Sequence, residues 1–376
     1  MPLRLFWLLV LLMILLPWLS GCEPISSLSL QPPAPPSAFC LERQELGEEV
    51  RVDFDEEGTG HYAYARGGTV FIATTRPGDT PVAIPGISAD RLEDLAVDAH
   101  GNRYLLFESP GLGRMAYAHD REGSWQLFPL VQGMPLSIQV EPAGGVHVFF
   151  ALPVRGEDSV ELKHMTKRSG EWLIETVIQD CSLYSAKLSV DELGHAHALC
   201  YVLPNQEEPG VRRIYASNAT GTWRTEDVFH DSAMQAAHFA ADVEGTAHLL
   251  YRGEYQRIYH ATKVAGSWQH SQTPLWLKAT SNISSLQVGP DGALHSLIHD
   301  AFLGFTQHLT LANGTWSATP LVLTPSEDER RLGELGEVRL AFDAQHRLVL
   351  GYDRHRYFEA TTLFRAGYVA LPRDCL

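Results

Sequence analysis

The sequence predicts an all-β chain, a seven-bladed β-propeller of four-stranded antiparallel blades, and three observations carry that expectation. A turn motif, an acidic residue with glycine three positions later and histidine six positions later, recurs in seven variants along 376 residues. A second turn, Gly-x-Trp, follows it in five of the copies. Between the turns lie segments apolar on both faces, as expected of strands buried between stacked sheets.

The copies run in order along the chain. Asp55, Gly58 and His61 open the series, followed by Asp98, Gly101 and Tyr104, then Glu141, Gly144 and His147, then Asp191, Gly194 and His197. Asp242, Gly245 and His248 come next, then Gly289, Gly292 and His295, and last a worn copy at Asp343, His346 and Val349. Successive copies stand 43 to 54 residues apart, the length of four short strands with their turns. The Gly-x-Trp turns are Gly123-Ser124-Trp125, Gly170-Glu171-Trp172, Gly221-Thr222-Trp223, Gly266-Ser267-Trp268 and Gly314-Thr315-Trp316. The first and last copies lack this turn, as terminal repeats often do.

In the strand opened by the histidine, the third position after it holds Tyr64, Phe107, Phe150, Cys200, Tyr251, Ile298 and Tyr352. The position before holds Ala63, Leu106, Phe149, Leu199, Leu250, Leu297 and Gly351. Both faces are therefore apolar, so each blade hides its two sides against its neighbours. Tyr215-Ala216-Ser217-Asn218-Ala219-Thr220-Gly221-Thr222-Trp223 resembles the Asp-box hairpin of sialidase-like, BNR-type propellers, over about residues 50 to 372. The Asp-box has Gly-x-x-Trp after an aspartate, whereas this chain has Gly-x-Trp and usually no aspartate. The resemblance therefore implies the fold and not the activity.

Ahead of the repeats, residues 1–21 combine Arg4, an apolar run from Leu5 to Leu16, and small residues before Cys22. The uninterrupted run is shorter than the roughly 20 residues a spanning helix needs, so it reads as a secretory signal. Leu19-Ser20-Gly21-Cys22 resembles the lipobox of bacterial lipoproteins. The resemblance implies removal of the signal and acylation of Cys22 (palmitate or its like), with Glu23 favouring the outer membrane. Residues 22–40 carry Pro32, Pro33, Pro35 and Pro36 and read as a semi-rigid tether, leaving 41–376 for the propeller. Cys40, Cys181, Cys200 and Cys375 remain, an even number in an exported chain. Three pairings are open; the positions near the two ends favour Cys40 with Cys375, which leaves Cys181 with Cys200.

The formal net charge of −16 disfavours nucleic acid as a partner. No Ser-His-Asp elbow, phosphate loop or CxxC metal pattern appears, so no catalytic residue, cofactor or metal is assigned. His61, His147, His197, His248 and His295 tempt a metal reading, but one per blade keeps them apart. Each is expected to bond a turn backbone group.

If the strands of a blade are A to D, the repeated A–B and C–D turns share one end, and the variable B–C and D–A loops share the other. Variable loops on a rigid scaffold are where binding residues concentrate. Arg66, Arg252, His299, Asp300, Arg354 and His355 are the candidates there, suited to carboxylates or sugars. The expected protein is a monomeric, lipid-anchored binder of a glycan or protein partner. The alternative is a glycan-processing enzyme, a polysaccharide lyase or a sialidase-like hydrolase, although Thr75-Arg76-Pro77 only distantly resembles the sialidase arginine motif.

Overall fold

The computed structural model describes residues 40–44, 48–57, 59–74, 76, 79–109, 114–141, 144–154, 159–168, 171–182, 186–202, 211–231, 237–253, 256–276, 281–289, 291–300, 305–321, 335–342, 348–354 and 366–370. The signal segment, Cys22, the tether, His355 and Cys375 lie outside them.

Within these residues 28 strands form seven four-stranded antiparallel sheets. Six sheets take four consecutive strands each, as in the second blade: Arg91–Val97, Arg103–Ser109, Arg114–His119 and Gln126–Pro129. The seventh takes Leu335–Phe342, Leu348–Arg354 and Ala366–Ala370, and its outermost strand is Cys40–Gln44 from the start of the chain. Cys40 faces Ala370 and Gln44 faces Ala366. Strand pairing thus joins the two ends of the ring among the described residues, and the expected Cys40–Cys375 bridge falls outside them. It also explains the missing Gly-x-Trp turn in the last copy, whose third and fourth strands are not joined by a hairpin. Each inner strand packs against the next, and the first against the seventh.

The ring has no single core. From the first blade to the sixth, each interface between blades has its own, because both faces of these sheets are apolar. Between the first and second blades lie Ile72, Ile84, Leu92, Leu105 and Phe107; between the third and fourth lie Leu162, Ile178, Cys181, Ala198 and Cys200. Leu199 turns the other way and joins Phe239, Leu249 and Tyr251 between the fourth and fifth. The expected Cys181–Cys200 bridge is not formed: both are fully buried free thiols that pack as small apolar groups in one cluster. Burial, then the neighbouring Cys181, pushes the Cys200 thiol well up.

The turn motif is an interlock. In the fourth blade Asp191 Oδ1 accepts the backbone N–H groups of Leu193 (3.0 Å) and His195 (2.7 Å), while Oδ2 lies 3.2 Å from Nε2 of His197. The histidine bonds the turn's carboxylate, not a turn backbone group as the spacing suggested. A carboxylate one turn away is the stronger acceptor, and both groups are buried. The other ring nitrogen is also used: Nδ1 of His197 accepts from the Tyr215 hydroxyl at 2.7 Å. In other blades a second histidine takes that place, His164 at 2.9 Å from His147, His260 at 3.2 Å from His248 and His308 at 2.9 Å from His295. In the second blade the Tyr104 hydroxyl donates directly to Asp98 at 3.0 Å.

Neutral rings satisfy these relays, the first ring donating Nε2–H to the carboxylate and accepting at Nδ1. Burial lowers the affinity of His61, His197, His248 and His295 for a proton despite the opposing carboxylates. Burial and the paired ring bring His260 and His308 to about 4.

The motif glycine serves the neighbouring blade. Gly245 has φ 77°, and a Cβ there would stand 2.9 Å from Oδ2 of Asp191 in the preceding blade. Only a residue without a side chain satisfies both demands. The tryptophans reach back the same way. Trp268 meets the Tyr215 ring of the preceding blade edge-on at 5.3 Å and donates Nε1–H to Glu226 at 2.8 Å. Trp223 meets His164, and Trp316 meets His260, in the same arrangement.

Candidate binding site in the central channel

Each inner strand runs from the loop end of its blade to the acidic turn, so its first residues sit towards the variable loops. In the second blade Leu92 faces Phe107 and Asp94 faces Leu106, which leaves Glu93 without a cross-strand partner. The third blade repeats the bulge at Leu136 and the sixth at Ser284, each five positions before its turn residue. A bulge re-aims the extra side chain and increases the local twist. From this level towards the acidic turns runs a partly open cavity of about 620 Å³, lined by the inner strands of the first four blades.

Arg51, Asp53, Glu93, Asp94, Gln139 and Lys187 supply its polar wall, with Leu136 and Leu188 between them. Several of these groups hold the ring together. Asp53 Oδ2 accepts from Val97 N at 2.7 Å, and Asp94 Oδ2 accepts from Ser137 Oγ and Ile138 N, both at 2.9 Å. The Gln139 amide donates to the Leu188 carbonyl at 3.1 Å. Each latch ties one inner strand to the next.

Glu93 and Lys187 are not latches. Glu93 is only 13% exposed, and its Oε2 lies 3.0 Å from Nε of Arg91 at the loop end of the same strand. Arg51 Nε donates to the Glu93 main-chain carbonyl rather than to its carboxylate. Burial, reinforced by Asp94 and Glu108 and opposed by Arg91 and Arg51, pushes the Glu93 carboxyl up to about 7. Lys187 is half-buried in the same cavity, and no hydrogen bond or ion pair to its ammonium is present among the described residues. The arrangement offers an unspent cation and a carboxyl poised between its two forms in a space of ligand size.

The loop-face candidates are brought to one end by topology. Arg66, Arg252, Asp300 and Arg354 each terminate the second strand of their blade, and His299 precedes Asp300. Arg66 is exposed, with its guanidinium 5.6 Å from the Tyr64 ring and 5.9 Å from Phe71. Arg76 lies at the opposite, turn end, 3.2 Å from Glu57 and 3.8 Å from Asp55, away from any channel site. Among the described residues no group of three His, Cys, Asp or Glu side chains is placed to hold a metal ion. Sequence reasoning missed Arg51, Glu93 and Lys187. One signal was present: Leu92-Glu93-Asp94-Leu95 puts two acidic residues side by side between buried leucines, which breaks the alternation of a regular strand.

No protein-family model matches the chain, and no curated protein matches it by sequence. Solved structures do. A catalytically inactive virginiamycin B lyase from Staphylococcus aureus, with quinupristin, matches at TM-score 0.54 and 10% identity over 89% of this chain and 100% of that one. The polysaccharide lyase Uly1 matches at TM-score 0.57 and 9% identity over 85% and 88%, and a streptogramin B lyase at 0.54 and 13% over 89% and 98%. The likeness is one of fold. At such identities it says that this chain is built as those propellers are, and leaves the chemistry to its own residues.

Proposed function

We propose that the protein is a non-catalytic binding propeller of the bacterial cell envelope, anchored through a lipidated Cys22, that takes a glycan in its central channel. One observation carries the reading: the 620 Å³ cavity, walled by Arg51, Glu93, Gln139 and Lys187. That volume suits one or two sugar rings and is too small for a folded protein segment. Charged and amide groups around apolar patches are what sugar hydroxyls and ring faces require. The occurrence of a polysaccharide lyase on the same fold supports a glycan as the ligand class.

A glycan array probed with the full chain, followed by calorimetry on the hits, tests the reading. Binding that weakens about tenfold or more in Lys187→Gln supports it. Well-folded protein that captures no glycan, or captures it equally well as Lys187→Gln, overturns it. Hits that emerge shortened in mass spectra would move the protein to the lyases or hydrolases. Anchoring is checked separately: Cys22→Ser is expected to move the protein from the membrane to the soluble fraction, and unchanged retention would contradict the lipid anchor.

A further inference from the structure

Resting on the channel as the binding site, the inference concerns what the ligand must carry. Five ionisable groups line the cavity: Arg51, Asp53, Glu93, Asp94 and Lys187. Asp53 and Asp94 are held by backbone N–H groups of the next blade, which partly offset their charge. Arg51 is engaged with the second blade at the Glu93 carbonyl. That leaves the Lys187 ammonium as a charge the described residues do not answer, and a buried or half-buried cation is stabilised by an anion that brings its own oxygens. Glu93 is the one lining carboxyl that no latch engages, aimed by its bulge rather than fixed in the ladder.

We propose that the cavity is a carboxylate-binding site in which Lys187 supplies the counter-charge and Glu93 admits the anion only in its protonated form. With Glu93 ionised, three carboxylates stand against three cations, Arg51, Lys187 and the Arg91 beside Glu93, so an added carboxylate leaves the site with a net negative charge. With Glu93 neutral, one cation is in excess, the incoming anion balances it, and the Glu93 O–H becomes a donor to that anion. Binding therefore takes up one proton: Glu93–COO⁻ + H⁺ + RCOO⁻ gives the complex of Glu93–COOH with RCOO⁻. No bond is made or broken in the ligand. The groups that face Glu93 are Arg91 and Asp94 on its own strand, Arg51 on the first blade's inner strand and Glu108 on the adjacent strand. Their balance leaves its carboxyl near neutrality. The ligand class is an organic acid, such as the acidic unit of a glycan.

Three probes separate this inference from the glycan reading: lactobionate, its uncharged counterpart lactitol, and succinate, each titrated calorimetrically into the full chain at pH 5.5, 7 and 8.5. The expected result is lactobionate binding at least about tenfold tighter than lactitol. Its affinity should fall about tenfold per pH unit above 7. Lys187→Gln should abolish the preference for the acid, and Glu93→Gln should flatten the pH dependence while keeping binding. Equal affinity for lactobionate and lactitol overturns the carboxylate inference and leaves the glycan reading standing. Succinate binding without either sugar does the reverse. No binding of any probe by folded protein overturns both.

Discussion

A carboxylate in a narrow, mostly buried channel costs the folded state free energy whenever it is ionised, because water no longer solvates the charge. For Glu93, the ordinary carboxyl value near 4.5 applies to the unfolded chain and about 7 to the folded one. The fold therefore binds the extra proton between those values, and stability falls as pH rises through that window. Glu93→Gln is expected to be more stable than the parent by about 1 to 3 kcal/mol above pH 7, and indistinguishable from it near pH 4.5. Urea melts at the two pH values check this. A residue that lowers stability at neutral pH is better explained by binding than by folding. The histidine relays run the other way. Neutral rings are favoured in the fold, while an unfolded histidine titrates near 6.5. Their stabilisation is thus complete above pH 6.5 and is lost as pH falls towards about 4, where His260 and His308 take up protons. In the Glu93→Gln background, melting temperature should be flat from pH 8 to 6.5 and then decline. A rise over that lower range would contradict the relay tautomers.

At the scale of the element, the repeated hairpins are joined less within blades than between them. Gly245→Ala forces a left-handed backbone on a residue with a Cβ and drives that atom against Asp191 of the preceding blade. A loss of about 1 to 3 kcal/mol is expected, against a few tenths at an open, ordinary position. Trp268→Ala removes a half-buried ring that meets Tyr215 and a hydrogen bond to Glu226 of that same blade. About 2 to 4 kcal/mol should be lost, read by chemical denaturation. Both motifs were legible in the sequence because each recurs with the blade, and repetition is visible without coordinates. The carboxylate partner of His197 was within reach too, since the motif itself contains Asp191. The bulge at Glu93 was not read, because one extra residue shifts the alternation by a single position and leaves composition unchanged.

For the whole molecule, closure depends on a strand that carries no repeat motif. Cys40–Gln44 reads as an unremarked junction between tether and propeller, and only its pairing with Ala366–Ala370 shows it to be the outer strand of the seventh blade. A fourth strand supplied from the far end of the chain leaves no local pattern, since its partner lies more than three hundred residues away. A chain starting after Gln44 is expected to lose cooperative unfolding, whereas one starting at Ala38 should keep it, as differential scanning calorimetry would show. The ring so closed forms the cavity from four blades at once, and no single repeat contains the site. The carboxyl carbon of Glu93, followed by ¹³C NMR in the full chain and assigned by its absence in Glu93→Gln, tests the channel as a proton-linked binding site most directly. A midpoint near 7 that moves higher when lactobionate is added is the expected result; a midpoint near the ordinary 4.5 that ignores the ligand would contradict it.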